Sequence, residues 1–102
     1  KEYNSLTFLD EVHAIGLYGE EGRGYSDVVG VQEDIDIIQS TMAKGIGIIG
    51  GYITGDQLLI DVIRSYSSGF IFTTALHPVE SAASFLLDEF DIYGEASNSP
   101  TV

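Results

Sequence analysis

Lys44 is the one lysine beyond the first residue, and it stands among Ala43, Gly45, Ile46, Gly47, Ile48 and Ile49. Lysine seldom occupies so apolar and glycine-rich a setting without a task. An amine in a dry, open place loses part of its preference for the charged form. It then becomes available for attack on a carbonyl and for proton transfer. Two further groups can work beside such an amine. Asp10 ends the run Leu6-Thr7-Phe8-Leu9-Asp10, and His13 follows three residues later. Together the acid, the imidazole and the amine suit pyridoxal phosphate: a lysine to carry the aldehyde, a carboxylate to keep the pyridine nitrogen protonated, and a histidine near the phenolic oxygen.

Competing motifs overlap these residues. Leu6 to His13 also reads as the strand-plus-acid box of a DExH helicase, with Ser40-Thr41-Met42 mimicking its serine-threonine motif. A nucleotide site further needs a loop of the form G-x-x-x-x-G-K-[ST], which is not among these residues. A third reading makes Asp10 and Glu11 a solvated strand end and His13 a satisfied core histidine. Taken alone, the segment suits that third reading in about half of such cases, and the acidic balance weighs further against a nucleic-acid motor. Gly45-Ile46-Gly47-Ile48-Ile49-Gly50 matches G-x-G-x-x-G, but Gly51-Tyr52-Ile53-Thr54 after it is strand-like. The dinucleotide fingerprint needs a helix there, so the glycines serve close backbone approach around Lys44 instead.

The elements that must position these groups follow from periodicity and punctuation. Ser5–Leu9 and Ile35–Ile38 read as short buried strands, with a glycine-punctuated loop from Gly16 to Gly30 and a turn over Ser40–Gly45. Gly51–Thr54 is a third strand and Phe70–Thr73, aromatic and β-branched, a fourth. Asp56 caps a predicted helix over Gln57–Ser65, with Leu59, Val62, Ile63 and Tyr66 on one face. Pro78 opens another through Phe90, with Val79, Ala82, Ala83, Leu86 and Leu87 inward. Strands interleaved with helices indicate an α/β domain with a mostly parallel sheet. Ligands in such sheets bind beyond the carboxyl ends of the strands, where Asp10, His13, Thr41 and Lys44 all fall. Residues 93–102 read as a loose tail behind a domain over 1–92.

Composition narrows the function classes. Sixteen acids against four bases give a net charge of −12, which disfavours nucleic acid and anionic lipid as partners. Hydrophobic residues at 44% suffice for a core. No apolar run reaches the ~18 to 20 residues of a membrane helix. The first residues lack the pattern of a signal peptide. Without cysteine there is neither a disulfide nor a thiolate metal site, and no metal is expected. Arg23 and Arg64 are expected in exposed structural roles, with substrate contact as the alternative.

A family resemblance sharpens the picture. Asp10-Glu11-Val12-His13-Ala14-Ile15-Gly16-Leu17-Tyr18-Gly19 resembles the Asp-Glu-Val-His loop of the 5-aminolevulinate synthases, within the α-oxoamine synthase family. Ser40-Thr41-Met42-Ala43-Lys44 is similar to their cofactor-lysine segment. Gly50-Gly51-Tyr52-Ile53 and Arg64-Ser65-Tyr66-Ser67-Ser68-Gly69-Phe70-Ile71-Phe72-Thr73-Thr74 resemble the stretches that follow, in the same order. The match runs from about Leu6 to about Ala83. Ser40, Gly45, Ile46 and His77 depart from the usual glycine, alanine, aromatic and proline, and the chain does not align from Leu86 onward.

The resemblance implies part of the three-layer αβα large domain of an aminotransferase class I/II-like transferase, homodimeric and dependent on pyridoxal 5'-phosphate. The implied reaction condenses glycine with succinyl-coenzyme A to 5-aminolevulinate, carbon dioxide and coenzyme A, in haem and tetrapyrrole synthesis. By resemblance, Asp10 holds the pyridine nitrogen and His13 the phenolic oxygen. Lys44 forms the Schiff base, is displaced by glycine and removes its α-proton. Thr41 lies near the cofactor phosphate, and Thr73 and Thr74 reach the phosphate bound in the partner subunit. The implied location is the bacterial cytoplasm or the mitochondrial matrix. Family members are several times longer than this chain. These residues alone are therefore expected to be inactive and poorly soluble, with unpaired sheet edges and exposed apolar faces. The alternative is a non-catalytic, truncated or degenerate relative with at most partner binding.

Overall fold

The computed structural model describes residues 2–90, with side chains described through residue 86. The tail expected at 93–102 and the inward face expected for Leu87 lie outside the described residues. Strand β1 (Phe8–Asp10) pairs with β2 (Ile37–Thr41), which pairs in turn with β3 (Gly51–Gly55). Between β1 and β2 lie tight turns at Glu20–Gly22 and Gln32–Asp34 and one short helix, α1 (Tyr25–Val28). After the sheet come α2 (Gln57–Tyr66), α3 (Ser68–Phe72) and α4 (Pro78–Phe90).

Connection length decides strand direction. Residues 11–36 separate β1 from β2, long enough for a crossover, and the two strands run parallel with Asp10 opposite Gln39. Only Met42–Gly50 separates β2 from β3, and that pair is antiparallel with Thr41 opposite Gly51. The α/β class therefore holds with a mixed three-stranded sheet. A polar clamp sets the parallel register at its start. The Thr7 hydroxyl donates to Asp36 Oδ2 at 2.9 Å and accepts from the Asp36 amide at 2.9 Å, while the Thr7 amide donates to the same Oδ2 at 2.8 Å.

That clamp also explains why β1 begins later than its residue types predict. Thr7 spends its side chain and amide on Asp36, so the regular ladder starts at Phe8, and Asp10 is inside the strand rather than beyond it. The strand is not buried, since Phe8 is 62% exposed. Strand β2 likewise runs on to Thr41, and alternation sends Ile38 and Ser40 inward with Met42 just beyond them. Ile38, Met42 and Ala14 form the buried apolar core among the described residues.

Helix α2 forms as its cap predicts, with the Leu58 amide donating to Asp56 Oδ1 at 2.8 Å. Its apolar face is open: Val62 is 54% exposed and Tyr66 82%, with Leu59 and Ile63 half-buried. Helix α4 has the predicted span, but Val79, Ala82 and Leu86 are exposed and only Ala83 is half-buried. No second layer within the described residues covers those side chains. The expected strand at Phe70–Thr73 is instead α3 and the residue after it. A strand needs a partner for its amides, and Phe70–Thr73 pairs with none of the three described strands. Local bonds serve in its place: the Ile71 amide donates to the Ser67 carbonyl at 3.0 Å, and the Thr73 hydroxyl to the Gly69 carbonyl.

Candidate functional site

Because β1 and β2 are parallel, their carboxyl ends meet at one edge of the sheet, and Asp10 and Thr41 are their last residues. His13 and Lys44 sit in the turns that leave those ends. Four of the six residues singled out by sequence thus share one rim.

Asp10 is exposed, yet both its oxygens are engaged. Oδ1 accepts from the Val12 amide at 2.9 Å, and Oδ2 accepts from the Gln39 side-chain amide at 3.0 Å. The Val12 amide is the main cause holding its pKa below the ordinary aspartate value, followed by Gln39, with the positive charges of His13 and Lys44 adding to them. An acid so arranged stays ionised and points one way.

Glu11, its neighbour, does something different. It is 3% exposed and accepts from the Ser26 amide at 2.7 Å and the Tyr25 amide at 3.1 Å, capping α1 from a distance in sequence. Burial pushes its pKa up, but hydrogen bonding from Ser26 and Tyr25 outweighs burial and leaves it lowered. Gly24 makes room for this contact. It holds φ +111°, and a Cβ there would meet the Glu11 carboxyl carbon at 3.1 Å. Glu11 is therefore no solvated strand end.

Lys44 Nζ lies 3.0 Å from His13 Nε2. Both side chains are exposed, so the dry setting expected for the lysine is not formed within the described residues. Its turn projects past the sheet end, where the apolar neighbours Ile48 and Ile49 do not cover it. Nor is His13 a core histidine. The Thr41 hydroxyl is occupied within the lysine turn: it donates to the Gly50 carbonyl at 3.0 Å and accepts from the Ala43 amide at 3.2 Å. Thr73, just after α3, is bonded back to Gly69 within that helix, and no hydrogen bond among the described residues links Thr73 or Thr74 to the other four.

An open hollow of about 660 Å³ adjoins Asp10 and His13, walled by Leu9, Ala14, Tyr18, Tyr25 and Val29. The Tyr18 and Tyr25 rings meet edge-on at 5.8 Å between centroids. Sequence reasoning missed the Gln39 partner of Asp10 and the buried role of Glu11. Register reveals the first; no local signal announces the second, whose partners are 14 and 15 residues away. Among the described residues no group of three or more His, Cys, Asp or Glu could hold a metal, and no helix is long and apolar enough to cross a membrane.

Comparison with known proteins agrees with this architecture. The chain is 57% identical over 84 residues to 5-aminolevulinate synthase of Rickettsia bellii, covering 82% of this chain and 20% of that protein. It is 53% identical over 76 residues to the erythroid-specific, mitochondrial 5-aminolevulinate synthase of Gallus gallus, covering 74% of this chain and 15% of that one. Among solved structures, the serine palmitoyltransferase of Sphingomonas wittichii superposes with a TM-score of 0.81 at 29% identity, over 91% of this chain and 24% of that one. The chain thus spans about a fifth of the length of the relatives it matches. The family model for aminotransferase class I and II matches residues 1–98, nearly the whole sequence. With the strand-end rim and these likenesses in agreement, the chain belongs to the aminotransferase class I and II family.

Proposed function

We propose that this chain carries the lysine-bearing part of a pyridoxal-phosphate site in a 5-aminolevulinate synthase, which condenses glycine with succinyl-coenzyme A. The observation that carries the reading is the meeting of Lys44 Nζ and His13 Nε2 at 3.0 Å on the rim that ends in Asp10. Relatives named 5-aminolevulinate synthase at 53–57% identity support the choice of reaction. A related serine palmitoyltransferase structure, described as carrying PLP as the internal aldimine, supports the choice of cofactor.

The donor set fits that group. The two-point hold on the Asp10 carboxylate leaves acceptor capacity for a ring N–H, and an exposed amine and imidazole stand next to it. When bound, pyridoxal phosphate would supply an electron sink for carbanion chemistry at the amino-acid α-carbon. Asp10 would keep a proton on the pyridine nitrogen. His13 would orient the ring at its phenolic oxygen. Lys44 would hold the cofactor through its amine and, once released by glycine, take the α-proton. Thr41 would stiffen the lysine turn beside the phosphate, and Thr73 and Thr74 would serve the phosphate in the partner subunit of a homodimer. The named relatives come from a bacterium and a mitochondrion, which supports a bacterial cytoplasmic or mitochondrial-matrix setting.

Borohydride reduction after addition of pyridoxal phosphate tests the reading, with the labelled peptide identified by mass spectrometry. A pyridoxyl group on Lys44, absent from a Lys44→Ala variant, is the expected result. A folded sample that takes up label elsewhere or nowhere favours the non-catalytic relative instead.

A further inference from the structure

We infer that Gln39 is a positioning residue for Asp10: its side-chain amide, set opposite Asp10 by the parallel register of β1 and β2, aims the carboxylate at the ring nitrogen. The inference rests on the proposed role of Asp10 as the partner of that nitrogen.

Geometry carries the argument. Residues paired across a ladder project to the same face, and Asp10 is paired with Gln39. The Gln39 Nε2 therefore reaches Asp10 Oδ2 at 3.0 Å without leaving its strand. The other oxygen is fixed from the opposite side by the Val12 amide at 2.9 Å. An exposed aspartate held at one oxygen still turns about its side-chain bonds. Held at both, by a neighbouring strand and by its own loop, it has one orientation before any ligand arrives, and binding need not order it.

The choice of an amide matters as much as its place. A carboxylate has about four acceptor positions, and the two bonds leave the others open. Lysine or arginine at 39 would also reach the acid, but as a counter-ion competing with the ring nitrogen for the negative charge. Glutamate at 39 would repel it. Glutamine donates one hydrogen bond and brings no charge. Asp10 otherwise faces His13 and Lys44 across the rim, both of which favour its ionised form. Glu11 is the neighbouring acid, and its carboxylate is turned to the Tyr25 and Ser26 amides. Gln39 is the group that β2 presents to Asp10, and it is half-buried, so its own position is restrained.

The test compares the protein as its gene encodes it with Gln39→Leu and the isosteric Gln39→Glu, each checked for folding by circular dichroism. In cofactor-free protein, carbon NMR of the Asp10 carboxyl reads its titration. The wild type is expected to titrate below the ordinary aspartate range, Gln39→Leu higher, and Gln39→Glu higher still. Pyridoxal phosphate affinity should fall about three- to tenfold in Gln39→Leu, with the loss growing as pH falls, as expected for one charge-assisted bond at an exposed site. A residue that only filled space would leave the Gln39→Leu titration at the wild-type position, whereas Gln39→Glu moves it by charge repulsion alone and serves as the control for sensitivity. Coincident titrations of the wild type and Gln39→Leu overturn the inference. A wild type that binds no pyridoxal phosphate overturns the cofactor reading instead, and the NMR titration still decides the Gln39 claim. Should Gln39→Leu fail to fold, Gln39→Met, which keeps the length and brings neither donor nor charge, decides in its place.

Discussion

Lys44 Nζ and His13 Nε2 meet at 3.0 Å although 31 residues separate them in sequence. Neither side chain is buried, although each turn sends one neighbour into the core, Ala14 beside His13 and Met42 before Lys44. What brings them together is the parallel pairing behind them, which ends β1 and β2 at the same edge. The contact is thus a product of strand direction, made by two exposed side chains rather than by the core.

Replacing Lys44 by alanine should therefore leave stability within about 0.5 kcal/mol of wild type, as for other exposed positions. The same change should abolish covalent capture of pyridoxal phosphate. Thermal unfolding and borohydride trapping on the same samples check the two halves together. A large drop in melting temperature would contradict the separation of the site from the core.

Glu11 should behave in the opposite way. Glu11→Ala leaves the Tyr25 and Ser26 amides without their acceptor, at a cost of about 1–3 kcal/mol in denaturant unfolding. Glu11→Gln, keeping one acceptor oxygen, should fall between. The folded-state pKa of Glu11 is lowered, so its contribution is fully present above the unfolded-state value. It is lost as pH falls through the folded-state value. The gap in stability between wild type and Glu11→Ala should accordingly shrink on acidification and stay constant toward neutral pH.

Gly50 supports the lysine turn from the far side. Its φ is +135°, a region that favours glycine, and a Cβ there would collide with Met42 Cε. Its carbonyl accepts from both the Thr41 hydroxyl and the Met42 amide, each at 3.0 Å. Gly50→Ala should cost roughly 1–3 kcal/mol, read by chemical denaturation, and weaken cofactor capture by Lys44 through the displaced turn.

The clamp at the start of the parallel ladder gives a fourth expectation. Thr7→Val keeps the shape but removes the hydroxyl that both donates to and accepts from Asp36. The loss should be about 0.5–1.5 kcal/mol in denaturant midpoint experiments. Amide hydrogen exchange should rise at Ile37, whose amide donates to the Thr7 carbonyl.

Much of this was legible in the residues, where the signal was local. Asp56 announces α2 because a cap and its helix are neighbours, and Pro78 announces α4 for the same reason. Asp10, His13 and Lys44 stand out as an acid, an imidazole and an amine after strand-like runs, and with Thr41 they fall on one rim of the sheet. Propensity misled at Phe70–Phe72, whose aromatic and β-branched side chains favour a strand, whereas local backbone bonding makes them helical. Other features depended on distant partners. Gln39 acquires its meaning only from the register, and Glu11 only from the amides of α1. The direction of β3 follows from a connection too short to cross over, once the strand limits are known.

The long connection between β1 and β2 has a further consequence for how the site comes into being. Residues 11–36 must be looped out and their ends brought together before Asp10 and Thr41 share an edge. Pairings so far apart in sequence form late, because the entropy of closure is spent before the contacts return it. The rim shared by Asp10 and Thr41 is thus among the last features to assemble on the chain. A ligand that recognises only the completed rim draws the equilibrium toward it by mass action, so cofactor supply during synthesis would govern how much chain matures.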